Sequence, residues 1–215
     1  MPAAAGTHRL VEVAPGRLER WVAGFGERHG GSAWSVAGDT VTLVGGDGEV
    51  AEVEVPWPPF EVGVGWPAAL AAHAAASRTA LLVLVRRGGY GAAVARDGRL
   101  SEHAVGTRYV QSRTAAGGWS QQRFARRRTG QAAALTGSAT DAVLRVLGRS
   151  AVAPEVVVMG GDRPLVAEVL ADPRLAAVAA LPRGPLLSVP DPRLAVLEHT
   201  AVRYQALRIR LTSPR

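Results

Sequence analysis

Ala80-Leu81-Leu82-Val83-Leu84-Val85 is the stretch on which the fold turns: six apolar residues in a row, closed by Arg86-Arg87-Gly88-Gly89. The run has the composition of a strand buried on both faces. Downstream, residues 90–95, a turn at Asp97-Gly98 and a further strand ending near Arg113 complete a β-meander,. Upstream lies an alanine-rich helix near residues 67–77. Beyond the meander the pattern is helical from Gln121 to about Leu147, with Thr129-Gly130 and Thr136-Gly137 as points of interruption,. The last third alternates. A strand at residues 155–159 and a turn at Gly160-Gly161 lead into a helix over residues 164–170. A short strand at residues 186–189, a short helix from Asp191 and a final strand at residues 204–211 follow. Strands and helices alternating after an antiparallel opening predict a mixed sheet with flanking helices, an α/β (α+β) fold.

The N-terminal part reads differently. Residues 8–13 alternate as a strand, and Pro15 opens a helix through Leu18, Trp21, Val22 and Phe25,. Three short strands follow at residues 33–37, 40–44 and 49–55, the last two joined by a turn at residues 45–48,. The Pro-rich stretch at residues 56–59 marks a boundary. This divides the chain into a small α+β module, residues 1–65, and a larger domain, residues 66–215.

With 215 residues and no cysteine, the chain can bury an ample core, and disulfides, thiolate catalysis and cysteine-based metal sites are excluded,. The five histidines, at positions 8, 29, 73, 103 and 199, show no metal-ligand spacing, and no serine sits in a Gly-x-Ser-x-Gly elbow,. Gly160-Gly161-Asp162-Arg163 lacks the lysine of a phosphate loop, and Asp39, Asp47 and Asp162 read as turn or cap residues. No basic leader with an apolar stretch opens the chain, and apolar runs such as residues 79–85 are too short to span a bilayer,. A soluble, cytoplasmic protein is expected.

The formal charge is +7 and the pI about 11.2, which favours an anionic partner,. All 25 basic residues are arginine, so arginine at any one position says little by itself. Its distribution says more. No acidic residue lies between Glu102 and Asp141, while Arg108, Arg113, Arg123, Arg126, Arg127 and Arg128 do. The other 19 arginines and the 18 acids nearly cancel. Within the acid-free interval, residues 114–120 form a glycine-containing loop, and Ser120 is a good N-cap for the helix that follows,. Glycines permit close backbone approach, helix-start N–H groups accept an anion, and arginines hold phosphates. RNA is the ligand this device suits. Arg123, Arg126 and Arg127 are spaced to share a helix face, and Trp119 is either a buried loop anchor or a platform for a base.

The string Gly117-Gly118-Trp119-Ser120-Gln121-Gln122-Arg123-Phe124-Ala125-Arg126-Arg127-Arg128 resembles the catalytic loop and following helix of eukaryotic and archaeal class-I peptide release factors. There a Gly-Gly-Gln tripeptide enters the peptidyl-transferase centre and an Arg-Phe-Ala-Arg string begins the helix. The chain is more similar to VLRF-type peptidyl-tRNA hydrolases of ribosome quality control, in their actinobacterial branch, over residues 77 to 212. Where release factors place glutamine after the two glycines this chain has Trp119. In the VLRF branch the glutamine is likewise displaced, and Gly118-Trp119-Ser120-Gln121 nominates Gln121, with Gln122 as the alternative.

The resemblance implies a ribonuclease-H-like mixed sheet with helices on both faces. It implies a site of Gly117, Gly118, Gln121 and Gln122 that positions water at the peptidyl-tRNA ester, with RNA contacts from Arg113, Trp119, Arg123, Arg126, Arg127 and Arg128. The partners it implies are the large ribosomal subunit, ribosomal RNA and peptidyl-tRNA, the chain being monomeric off the ribosome, with no cofactor, metal or membrane. The other reading is a ribosome- or RNA-binding module that keeps the fold without the activity. A two-metal nuclease needs clustered carboxylates, which the acid-free interval does not offer.

Overall fold

The computed structural model describes residues 8–107 and 120–214, with residues 120–129 described by backbone alone. The chain forms two compact units: residues 1–76 together with 205–215, and residues 77–204.

The first unit contains strands β1 (His8–Val13), β2 (Ser32–Ala37), β3 (Thr40–Gly45) and β4 (Val50–Glu54), helices α1 (Leu18–Arg28) and α2 (Trp66–Ala75), and the chain's last strand, β9 (Leu207–Thr212). Its sheet has the order β1-β9-β4-β3-β2, every pair antiparallel. The strands alternate, so one face collects Val41, Leu43, Ala51, Val53, Leu207, Ile209 and Leu211. Those side chains are buried with Leu18 and Phe25 of α1 and Trp66, Leu70 and Ala74 of α2. Each large side chain fully withdrawn from water there contributes about 1.5–3 kcal/mol. Pro15 opens a 3₁₀ turn that leads into α1, and Pro67 sits in the first turn of α2, positions that need no N–H donor,.

The second unit holds β5 (Ala80–Arg86), β6 (Gly89–Arg96), β7 (Arg99–Thr107) and β8 (Val156–Gly161), with helices α3 (Ser120–Arg149), α4 (Arg163–Leu170), α5 (Ala176–Ala179) and α6 (Leu194–Arg203). Its sheet runs β7-β6-β5-β8, antiparallel except for the parallel β5/β8 pair. This is the expected mixed sheet with flanking helices. Leu81, Val83 and Val85 of β5 pack against Leu135, Ala139, Ala142, Val143 and Val146 of α3 and Val166, Val169 and Leu170 of α4. On the other face Leu82, Leu84, Ala93 and Ala95 are buried, and α6 packs on the sheet. A Cβ on Gly91 would stand 3.3 Å from the side chain of Leu197, so the glycine makes room for α6.

Three expectations meet a different structure. Residues 186–189 form no strand: the segment makes one isolated bridge, at Leu187, with another before it at Arg183, because Pro182, Pro185 and Pro190 supply no N–H to a ladder,. The α3 backbone is continuous through Gly130 and Gly137, and it begins at Ser120 itself, which had been read as the preceding cap. The units divide after residue 76 and again after residue 204 rather than after residue 65, since α2 and β9 complete the core of the first sheet. No described helix is long and apolar enough to cross a membrane.

Candidate nucleic-acid interface

Strand direction decides which residues can meet. In the second sheet Arg86 is paired with Gly89, Gly89 with Thr107, and Val85 with Gly161. The C-terminal ends of β5, β7 and β8 therefore share one edge with the start of β6. In open α/β sheets this edge is where ligands bind.

From this edge β7 leads, across residues 108–119, to the first turn of α3, and β8 leads through the single residue Asp162 to α4. The first turn of α3 carries no acidic residue. Its N–H groups have no acceptor within the helix and it bears the positive end of the helix dipole, a combination suited to anions. The helix is anchored further on. Among the side chains described, its buried stripe starts at Leu135, and at 1.5 Å per residue Ser120 stands about 22 Å along the axis from Leu135.

Arg86, Arg87, Arg163 and Arg193 belong to the same edge, against Asp162 and Asp191. Arg86 Nη1 donates to the Val189 carbonyl at 2.9 Å, and its Nε lies 3.6 Å from Asp191 Oδ1, which brings the start of α6 to this edge. Asp162 accepts from the Arg87 backbone N–H at 3.2 Å, and its own N–H donates to the Val85 carbonyl at 2.8 Å. Gly161 has φ 98°, and a Cβ there would strike that same carbonyl. The guanidinium groups of Arg87, Arg163 and Arg193 are exposed and form no ion pair among the described residues.

Close backbone approach also marks the end of β7. Tyr90 is the cross-strand partner of Gly106, and its ring lies where a side chain on Gly106 would project. A Cβ on Gly89 would meet the Gly106 carbonyl at 2.5 Å. This packing fixes the strand one residue before its final residue, Thr107.

Of the residues nominated from sequence, Gln121, Gln122, Arg123, Arg126, Arg127 and Arg128 fall in the first three turns of α3, where the backbone alone is described. Arg113, Gly117, Gly118 and Trp119 lie outside the described residues. The arginines at positions 86, 87 and 193, and the Tyr90–Gly106 pair, were not singled out, and Arg163 was met only in the Gly160-Gly161-Asp162-Arg163 turn set aside as a phosphate loop. Arg86-Arg87-Gly88-Gly89 was visible as a string, but only the strand order brings it to the edge that leads into α3. Among the described residues no group of three or more His, Asp or Glu is placed to hold a metal ion.

A comparison with curated proteins finds no match. A family model described as the Actinobacteria/chloroflexi VLRF1 release factor matches residues 78–210, covering β5 through most of β9 and including the whole second sheet, the basic edge and α3. With that match spanning more than half of its length, the chain belongs to the actinobacterial and chloroflexi VLRF1 release-factor family.

Proposed function

We propose that the protein is a peptidyl-tRNA hydrolase that frees nascent chains from stalled ribosomes or large subunits in the cytoplasm, with Gln121 as its catalytic residue. The observation that carries this reading is the release-factor family match over residues 78–210, which includes α3 with Gln121 in its first turn, three residues after Gly118. The arginines of α3 and of the edge would hold ribosomal or transfer RNA by phosphate contacts.

The chemistry needs no conventional nucleophile. The ester between peptide and ribose is already activated, so a water held in line and a preorganised dipole at the developing oxyanion supply the missing stabilisation. Glutamine is no base at neutral pH. Its amide orients water and donates to the oxyanion, with Gly117 and Gly118 letting the backbone approach the ester.

Release from a stalled ribosome–nascent-chain complex tests the reading. Gln121→Ala is expected to slow release by about 10²-fold or more while leaving ribosome binding intact. Wild-type release that persists in a Gln121→Ala, Gln122→Ala double variant sinks the assignment. A second reading, a ribosome-binding module without hydrolase activity, is favoured by Trp119, which stands where release factors have their glutamine. Tight binding with no release by the wild type would establish it.

A further inference from the structure

One face of α1 carries Trp21, Phe25, Arg28 and His29, at spacings of four, seven and eight residues,. Trp21 and Phe25 stack, with centroids 5.7 Å apart and planes 19° apart. Facing them is an irregularity in β1. Arg9 alternates with Val11 and Val13 and is the cross-strand partner of Leu211, so it lies on the helix-covered face of the sheet, where an apolar side chain is the rule,. Between Arg9 and α1 is a cavity of about 520 Å³, open to solvent and lined also by Trp21, Phe25, Arg28 and Glu49.

Three charged groups of this cavity are uncommitted. Neither the Arg9 nor the Arg28 guanidinium, nor the Glu49 carboxylate, has a hydrogen bond or ion pair among the described residues. Elsewhere on the same sheet Arg210 pairs with Glu52 at 3.1 Å and Arg208 with Glu54 at 3.9 Å. His29 is already held by Asp47, Nδ1 to Oδ2 at 2.8 Å. Gly24 matters as well: a Cβ there would stand 3.0 Å from Arg28 Nη1, so the glycine lets the guanidinium fold back along the helix.

We propose that this cavity binds a nucleoside phosphate, with the phosphate between Arg9 and Arg28, the base against Trp21, and Glu49 accepting from a base amino group or a ribose hydroxyl. Guanidinium pairs recognise phosphate through charge-assisted hydrogen bonds, an indole stacks on any base, and the volume is that of a small-ligand site. The unit around it has seven arginines and nine carboxylates, a net −2. Such a unit repels a long polyanion and suits a ligand taken up one nucleotide at a time. A free nucleotide and an unpaired nucleotide of RNA present this same chemistry.

The Trp21 indole N–H resonance of the full chain, assigned with Trp21→Phe, reads the site directly. Titration with 5′-AMP is expected to give a saturable shift, and adenosine and inorganic phosphate each to bind at least about tenfold more weakly, as loss of one charge-assisted or stacking contact requires. Arg9→Gln and Arg28→Gln should each weaken 5′-AMP binding about tenfold. Their circular dichroism separates lost binding from lost fold, and the comparison of 5′-AMP with adenosine on the wild type stands without them. An RNA trinucleotide that binds more tightly than 5′-AMP identifies RNA as the source, and one that does not identifies the free nucleotide. Absence of a saturable Trp21 response to both 5′-AMP and the trinucleotide overturns the proposal, as does binding that is equal in wild type and both arginine variants. Because no peptide release is measured, the result is independent of the role given to Gln121.

Discussion

Gly106 is a residue whose side chain is missing for a reason. The ring of Tyr90 fills the space a Cβ would take, so Gly106→Ala must move either the ring or the end of β7. Overpacking of this kind costs about 1–3 kcal/mol. The expected result is a lowered thermal midpoint for Gly106→Ala that Tyr90→Ala partly rescues in the double variant, the non-additivity marking direct contact. Asp172 shows the other way one residue ties elements together. Its carboxylate accepts from the Arg174 backbone N–H at 2.9 Å, from Nε at 3.0 Å and from Nη2 at 2.9 Å, while Arg174 Nη1 reaches Asp141 of α3 at 3.0 Å. The side-chain hydrogen bonds from Arg174, and then the backbone one, hold Asp172 below its ordinary value of 3.8. A carboxylate lowered in the folded state stabilises the protein above the unfolded value, and that stability is lost as pH falls below 3.8 through the depressed value,. The urea midpoint should therefore fall further between neutral pH and pH 3 in wild type than in Asp172→Asn, which has no proton to take up. An equal fall in both proteins would refute this account of Asp172.

At the scale of elements, α3 has an anchored part, and the proposed catalytic residue lies in its first turn. Leu135, Ala139, Ala142, Val143 and Val146 are buried against the sheet and α4, and Thr136 Oγ1 donates to Glu168 Oε1 of α4 at 2.9 Å. Leu135→Ala is expected to cost about 2–5 kcal/mol in chemical denaturation, whereas Gln121→Ala should leave stability within about 0.5 kcal/mol of wild type. A large stability loss at Gln121 would argue that the residue is structural. Much of this was legible in the sequence. The Ala80–Val85 run, the alternation at residues 40–44 and the long helical pattern each reflect one local period, and period survives folding. Gly130 and Gly137 misled because a glycine in a helix costs only about 1 kcal/mol, which the buried stripe beyond Leu135 outweighs. The segment at residues 186–189 misled in the opposite direction: its apolar side chains suit a strand, but the prolines around it remove donors that a ladder needs. What no local pattern carries is adjacency. Arg87, Arg163 and Arg193 are far apart in sequence and share an edge only because β5 and β8 are parallel and α6 starts beside Arg86.

At the scale of the whole molecule, charge and chain path divide the protein in different ways. Residues 77–204 contain 18 arginines and nine acids, a net +9, while the other unit is at −2. Long-range attraction for a polyanion thus belongs to the second unit. The first unit depends on the far end of the chain: β9 lies between β1 and β4 and pairs with both, burying Leu207 and Ile209. Without it β1 has no partner strand among the described residues and the core loses three large side chains, Leu207, Ile209 and Leu211, each worth about 1.5–3 kcal/mol,. A small domain stable by only about 5–15 kcal/mol does not survive that loss together with its ladder hydrogen bonds. We therefore expect a chain ending at Tyr204 to lose the protected amides of β1, β3 and β4 in hydrogen exchange while those of β5, β6 and α3 stay protected. Residues 1–65 made alone should be unfolded. A folded fragment of residues 1–65 would restore the boundary that the proline stretch suggests, and would show that β9 adds to a sheet already able to stand without it.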